Sequence, residues 1–319
     1  MKQVPRIAVI GAGMAGIAAA RSLCAQKCAV TVFEKSRGLG GRCATKRWED
    51  HVIDHGAQYF TLRDPDFSSE VRAALGGSLC RIVAPVQAED GSVLTDDGRY
   101  YHAEGNSRLA RGLAGALDIR CGFAVAPAAG RIIDGQRYDA IVSTAPLPQT
   151  LALAGGAGRP AIDYVPCLTA VFLYDHSASE ALPAAYARSD RSGSPLACSA
   201  CENHKTGRIR PGFLCIVAQA SEVFSREFLE EDPGEWSQRL RALVEERWEI
   251  PSDRLAGHFT HRWRYARVAA PLRTPPDLPE GWFYAGDALA GSRVESAWLA
   301  GRNVAARVGS FLENADSWA

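Results

Sequence analysis

The sequence lacks an excess of charge of either sign. Lys plus Arg and Asp plus Glu both number 36, so the formal net charge at pH 7 is zero. No one-signed field exists to draw in nucleic acid or an anionic membrane, and neither is expected as a partner. No apolar run is long enough to span a bilayer. No separate signal peptide is expected, because the apolar N-terminal stretch already reads as a strand and a helix. Repeats and low-complexity segments are also missing. The nine cysteines are odd in number and scattered. They imply reduced thiols in a cytoplasmic protein rather than a disulfide framework. Cys198-x-x-Cys201 with His204 has no second pair spaced for a structural zinc, so small polar-loop cysteines are the plainer reading and no metal is expected.

What is there begins with size: 319 residues and 47% hydrophobic content, enough for a large core and about two domains. The chain is organised around residues 6–42. Arg6-Ile7-Ala8-Val9-Ile10 reads as a buried parallel strand. Gly11-Ala12-Gly13-Met14-Ala15-Gly16 follows at once. Ile17 to Ala25 reads as an Ala-rich helix, and Ala29 to Phe33 as a strand ending at Glu34. This is a βαβ unit with G-x-G-x-x-G spacing. Gly11 allows the tight turn. Gly13 has no Cβ, so a pyrophosphate can approach the backbone. Gly16 lets helix and strand pack closely. The helix N-terminus, near Met14 and Ala15, offers free N–H groups to the phosphates. Glu34 lies where a carboxylate can accept from both ribose hydroxyls. A dinucleotide site is expected.

Lys35-Ser36-Arg37-Gly38-Leu39-Gly40-Gly41-Arg42 is a glycine-rich basic loop. Its arginines either pair with phosphate as guanidinium forks or belong to a solvated loop; the position beside the first loop favours phosphate. Asp54-His55-Gly56-Ala57-Gln58-Tyr59-Phe60 comes next. In this order, with Gly40-Gly41-Arg42 and Glu34, the motifs resemble the amine-oxidase-type flavoproteins. The resemblance implies an FAD site, with Gly41 and Arg42 near the pyrophosphate and His55, Gly56, Ala57 and Gln58 under the flavin. Lys35 and Arg37 join the cofactor residues.

Further along, Pro65 to Leu75 reads as a helix and 79–95 as a pair of short strands with a turn at Asp90-Gly91. Arg108 to Leu117 has a helical apolar face. Arg137 to Pro146 is a buried strand ending in small residues, which suits a ligand crevice. By resemblance Thr144 and Pro146 lie beside the cofactor, and a residue near Val125 touches the adenine. Cys167 to Tyr174 and Gly212 to Ala220 are strong strand candidates, and Glu235 to Glu249 is an amphipathic helix bracketed by prolines. In Leu255 to Val268, alternation puts His261, Trp263 and Tyr265 on one face and Arg262 and Arg264 on the other. Gly281 to Asp287 is a strand ending in Gly286-Asp287. Arg293, Val294, Glu295 and Ala297 then open the last helix. A strand-end carboxylate can bond a ribityl hydroxyl, and the helix N-terminus at 294–295 can face the flavin pyrimidine.

H-R-W-x-Y-A-R followed by G-D-x-x-x-G-S-R-V-E-x-A-W-x-x-G narrows the resemblance to the bacterial renalase-like branch of the flavin amine-oxidase superfamily. That branch implies oxidation of mis-reduced dihydronicotinamide dinucleotides, with hydride passing to non-covalent FAD and electrons passing to oxygen to give hydrogen peroxide. Oxidation of a small amine and non-catalytic FAD binding are the alternatives. His261, Tyr265 and Tyr59 are the catalytic candidates. His261 is either a base near substrate or a hydrogen-bonded structural histidine. Arg262, Arg264, Arg267 and Arg293 either bind a substrate phosphate or tie to neighbouring acids. The expected fold is two-domain α/β. Residues 1–64, 99–158 and 268–319 form a Rossmann-like FAD-binding domain, and 65–98 with 159–267 form an antiparallel-sheet α+β substrate domain.

Overall fold

The computed structural model describes residues 4–94, 98–155, 162–177, 179–190 and 193–316. Its first layer is a five-stranded sheet in the order Trp282–Tyr284, Ala140–Ser143, Arg6–Ile10, Ala29–Glu34, Asp118–Cys121. Every pair is parallel. Ile7, Ala8 and Val9 have no exposed surface, as expected of a central strand covered on both faces. The chain leaves the Arg6–Ile10 strand toward one side first and returns later on its other side. That reversal opens a crevice at the strand's C-terminal end, and the glycine loop sits there.

Helix Met14–Ala25 covers one face of this sheet, and the last helix, Val294–Asp316, packs on it. The two backbones touch at Gly301, where a Cβ would lie 2.1 Å from the Ala15 carbonyl oxygen. The Ala-rich sequence of the first helix is what admits so close a partner.

The second layer is a six-stranded sheet in the order Leu255–Val268, Tyr164–Asp175, Phe213–Ala220, Leu196–Cys201, Ala187–Ser189, Val86–Gln87. Its pairs are antiparallel except the last. Helix Pro233–Trp248 buries Trp236, Leu240, Val244 and Trp248 against Leu168, Phe172 and Ile216. Asp232 caps this helix, its carboxylate accepting from Gly234 N at 2.7 Å. The hairpin Thr45–Trp48 and His51–Asp54 packs Ile53 on Val171, Cys215 and Val217. That hairpin leads into the Asp54–Phe60 motif, so the motif runs between the layers.

Two sequence expectations change. Within 79–95 the turn at Asp90-Gly91 is present, with Gln87 bridged antiparallel to Val93 and Leu94 N donating to the Val86 carbonyl at 2.8 Å, but the stretch also pairs outside itself: Leu79–Arg81 with Tyr100–His102, and Val86–Gln87 with Ala187–Arg188. The Pro65–Leu75 helix, assigned with the second sheet, instead buries Phe67, Val71 and Leu75 in the core beneath the parallel sheet. Its apolar face matches the helix Ser107–Ala114 beside it, and local sequence could not choose between the two layers. The expected boundary at 158/159 lies outside the described residues. Among the described residues no helix is long and apolar enough to cross a membrane.

Candidate cofactor and substrate site

A cavity of ≈ 1550 Å³ opens at the crevice and extends to the end of the second sheet. Its first wall is the glycine loop. Gly11 adopts φ +101°, a left-handed geometry that disfavours a side chain. A Cβ on Gly16 would lie 1.9 Å from the Gly11 carbonyl oxygen, whereas a Cβ on Gly13 would meet nothing within 4 Å. Gly16 therefore serves packing, and Gly13 keeps the cavity clear. Gly13 is also the N-cap of the helix and offers no side-chain acceptor, so the first N–H groups of the helix lack that partner. Thr144, at the end of the neighbouring strand, donates to the Ile10 carbonyl at 2.9 Å and fixes the loop from the side.

Glu34 is buried at the end of its strand and lines the cavity. Its carboxylate accepts from Ala12 N at 2.8 Å and from Ser36 N at 2.7 Å. It joins the first loop to the basic loop, and each oxygen keeps a lone pair for a further donor. Gly40 donates to the Ala12 carbonyl at 3.0 Å. A Cβ on Gly41 would lie 3.5 Å from Gly13 Cα, so the two glycine loops face each other.

Arg42 and Asp287, expected to reach different parts of a cofactor, are paired with each other. Arg42 also donates to the Ala266 carbonyl at 3.1 Å, and Asp287 accepts from the Tyr164 hydroxyl at 3.0 Å. Burial would lower the Arg42 guanidinium, but Asp287 outweighs it and raises the value. Burial, then Asp287, pushes the Tyr164 phenol up to about 12. Tyr164 thus stays a neutral donor that holds the carboxylate in place.

The far wall is aromatic. The His55 ring stacks on Trp263 with centroids 5.6 Å apart, and His261 lies 5.0 Å from His55 and 4.1 Å from Trp263. His55, His261, Trp263 and Tyr265 all line the cavity. Burial first, and His261 second, lower His55 from 6.5 to about 4. Burial and then Lys46 lower His261. Both rings are neutral at pH 7. Nδ1 of His55 is buried without a hydrogen-bond partner.

This depression has a consequence for stability. Below about pH 6.5 the unfolded chain protonates this histidine while the folded chain does not. Stability from His55 is complete above that pH and is lost as the pH falls toward about 4, by at most about 1.4 kcal/mol per unit. Thermal melts at about pH 7 and about pH 5 are expected to show a smaller acid loss for His55→Gln than for the parent chain. Equal losses in both proteins sink the assignment.

Every carbonyl of the loop at 55–58 is engaged. Trp263 Nε1 donates to His55 O at 3.0 Å and Gln219 Nε2 to Gly56 O at 3.0 Å. Asn106 Nδ2 donates to Ala57 O at 3.0 Å and to Gln58 O at 3.2 Å. Beneath the loop lies a fully buried ionic knot. Lys205 Nζ is 3.0 Å from Asp54 and 2.9 Å from Glu202, and Arg208 is 3.0 Å from Asp54 and 3.2 Å from Glu202. Burial would raise the Asp54 carboxyl, but Lys205 and Arg208 outweigh it and hold it below the usual range. At Glu202 burial wins, and the carboxyl is raised.

Among the expected site residues, Gly11, Gly13, Met14, Ala15, Glu34, Lys35, Gly41, Arg42, His55, Gly56, Ala57, Thr144, Pro146, Gly286, Asp287, Arg293, Val294 and Ala297 line this cavity, as does Val125. Gly16, Arg37, Gln58, Tyr59 and Glu295 do not. Arg37 points to solvent from the loop tip. Gln58 turns back on its own loop and donates to the Asp54 carbonyl. Tyr59 is on the surface beneath Arg99 and beside Tyr186. Glu295 accepts from Thr61 Oγ1 at 3.3 Å and from Asp64 N, tying a loop to the last helix. Arg264, Arg267 and Arg293 line the cavity and Arg262 does not; each is partnered, Arg262 with the Glu231 carbonyl, Arg264 with Glu230, Arg267 with Glu222, and Arg293 with Thr61. Sequence reading missed Tyr164, Gln219, Asn106 and the Glu202, Lys205 and Arg208 members of the knot, and no motif marks them; only Asp54 lies in an expected motif. Cys198 and Cys201 are packed in the second sheet, where burial pushes both thiols up to about 12.

The NAD(P)-binding Rossmann-like domain family matches residues 9–75. A hydroxyneurosporene desaturase of Cereibacter sphaeroides is 31% identical over 162 residues, 48% of this chain and 31% of that protein. The match thus spans less than a third of the relative. Among solved structures, a candidate protoporphyrinogen oxidase from an Exiguobacterium species superposes with a TM-score of 0.77 at 14% identity, over 98% of this chain and 100% of that one. Cyclohexylamine oxidase from Brevibacterium oxydans gives 0.72 at 13% identity, over 98% and 100%. The chain has the fold of the two-domain amine-oxidase-type flavoproteins, with a Rossmann-like dinucleotide-binding layer.

Proposed function

We propose that the chain is an FAD-dependent oxidoreductase that oxidises a dihydronicotinamide dinucleotide isomer. One observation carries this reading: a single cavity joins the Gly11–Gly16 cradle to the aromatic wall of His55, His261 and Trp263. At ≈ 1550 Å³ it exceeds the about 300–1,000 Å³ of a pocket for one drug-sized ligand. It has room for a dinucleotide cofactor and a second molecule against it.

The residues present fit the cofactor. Gly11, Gly13 and the helix N-terminus would hold its diphosphate, Glu34 its ribose, and Asp287 with the segment Arg293 to Ala297 its flavin end. When bound, FAD accepts a hydride and passes two electrons to oxygen, giving hydrogen peroxide. Attachment is non-covalent in this reading, in which the backbone cradle, Glu34 and Asp287 hold the cofactor; burial pushes the cavity-lining thiols Cys43 and Cys167 up to about 12 and about 11.

The chain's own part is orientation and exclusion of water. The aromatic wall of His55, His261 and Trp263 offers a flat ring a stacking surface. Among the described residues no strong base faces this wall. A His55 near 4 and a lowered His261 are too weak to deprotonate an ammonium whose ordinary pKa is about 10. The lining acid Glu222 is occupied by Arg267 and Arg226. A dihydronicotinamide needs no deprotonation, since loss of hydride yields an aromatic cation directly. Oxidation of a small amine is the second reading, supported by the fold shared with cyclohexylamine oxidase.

Anaerobic mixing of the flavin-loaded protein with each donor class tests this. Fast bleaching of flavin absorbance by dihydronicotinamide isomers is expected. Bleaching by amines alone transfers the function to the second reading, and no bleaching by either leaves an FAD-binding protein without turnover. A purified protein that binds NAD but not FAD overturns all three.

A further inference from the structure

We propose that Arg108 and Arg111, together with Arg47, form a diphosphate-binding wall beside the glycine cradle. This rests on the dinucleotide reading above and adds residues that no motif marks. Chain contacts bring the wall to the cradle in two steps. Gly41 backs onto Gly13, and Gly40 backs onto Ser107, whose Cα would lie 3.3 Å from a Gly40 Cβ. Ser107 opens the helix Ser107–Ala114, on which Arg108 and Arg111 are three residues apart and share a face. Thr45 accepts from Ser107 N at 3.0 Å, and Arg47, two residues on, donates to the Glu104 carbonyl at 3.1 Å. All three arginines line the cavity.

The charge at this end is unbalanced. Lys35, Arg42, Arg47, Arg108 and Arg111 line it, and the carboxylates there are Glu34 and Asp287. Glu34 is engaged by two backbone N–H groups, and Asp287 is paired with Arg42. Arg42, the arginine a motif would assign to phosphate, is therefore already neutralised. Among the described residues Arg108 has one ion-pair partner, the exposed Glu104, whose carboxylate lies 3.4 Å from the Arg108 Nε; that nitrogen is buried and makes no hydrogen bond. Among the described residues no hydrogen bond or ion pair engages the Arg111 guanidinium. Guanidinium forks with one exposed acid among them, beside a backbone stripped of Cβ atoms, suit the oxygens of a diphosphate.

That diphosphate belongs either to FAD or to a nicotinamide dinucleotide substrate, and binding measurements separate the two. The variant is Arg108→Gln with Arg111→Gln. FAD and riboflavin are titrated onto flavin-free protein by quenching of flavin fluorescence, and NAD is titrated onto flavin-loaded protein by calorimetry. If the wall holds the cofactor, FAD weakens between about tenfold and about a hundredfold while riboflavin does not change. If it holds the substrate, the same loss appears for NAD and FAD is unaffected. In either case Arg→Lys at both positions restores part of the affinity. Parent-like affinity for both FAD and NAD overturns the wall, as do equal losses for FAD and riboflavin. A parent chain that binds no FAD overturns the cofactor reading instead.

Discussion

Replacing Glu202 by alanine is expected to cost about 3–5 kcal/mol of stability and to lower Tm by roughly 10 °C. Glu202, Lys205, Arg208 and Asp54 are all fully buried, two acids against two bases. Loss of Glu202 leaves Lys205 and Arg208 facing Asp54 alone, with side chains that have no solvent-exposed surface over which to spread the surplus charge. The knot also accepts hydrogen bonds that the chain needs elsewhere. Glu202 takes Asp54 N at 3.1 Å, and Asp54 takes Asn106 N at 2.9 Å. Asn106 in turn holds the loop that carries His55 and Gly56 to the cavity. Removing one acid together with one base is far milder, because what remains is balanced. Glu202→Leu combined with Lys205→Met is therefore expected to recover at least half of the loss. Melting curves followed by circular dichroism decide the matter. A Glu202→Ala chain within about 1 kcal/mol of the parent removes the knot from the account.

The second large effect separates two glycines of one motif. Gly16→Ala places a Cβ 1.9 Å from the Gly11 carbonyl oxygen and 3.0 Å from its carbon. Neither is a flexible side chain, so the helix must lift away from the first strand. The expected cost is about 1–3 kcal/mol or more, visible as a lower Tm without any ligand. Gly13→Ala behaves in the opposite way. Its φ of −77° and ψ of −177° suit any residue, and the added methyl meets no protein atom within 4 Å. Its flavin-free Tm is expected to match the parent, with a stability change within about 0.5 kcal/mol. The methyl stands instead in the cavity, where the proposed cofactor's phosphates would approach the backbone. FAD affinity is expected to fall at least about tenfold, a loss of about 1.4 kcal/mol. Parent-like FAD binding by Gly13→Ala would show that the diphosphate lies elsewhere.

Local motifs were legible in the residues, and partners distant in sequence were not. The βαβ unit could be read directly, because strand, turn and helix are contiguous and the glycine spacing is a local steric code. The face shared by His261, Trp263 and Tyr265 was also legible, since strand geometry turns alternate residues the same way. The ends of the strands Arg6–Ile10, Ala140–Ser143 and Trp282–Tyr284 could be recognised singly as ligand-crevice termini. In each case the cause lies within a few residues of its effect.

The tertiary structure decided the rest. Tyr164 finds Asp287 across 123 positions, and Lys205 finds Asp54 across 151. Glu202-Asn203-His204-Lys205 carries no periodicity and has the composition of a surface loop. It is buried only because the second sheet closes over the Asp54–Phe60 motif. By the same token Gln58, Tyr59 and Glu295, which lie in the right motifs, turn away from the cavity to satisfy neighbours or solvent. Arg42 shows the division most plainly. Its place beside the glycine loop was set by the chain around it, but its partner was set by Asp287, brought in from the last strand. Local sterics and side-chain period act between neighbours in sequence. Charge pairing and burial act between neighbours in space, and only the closed fold determines who those are.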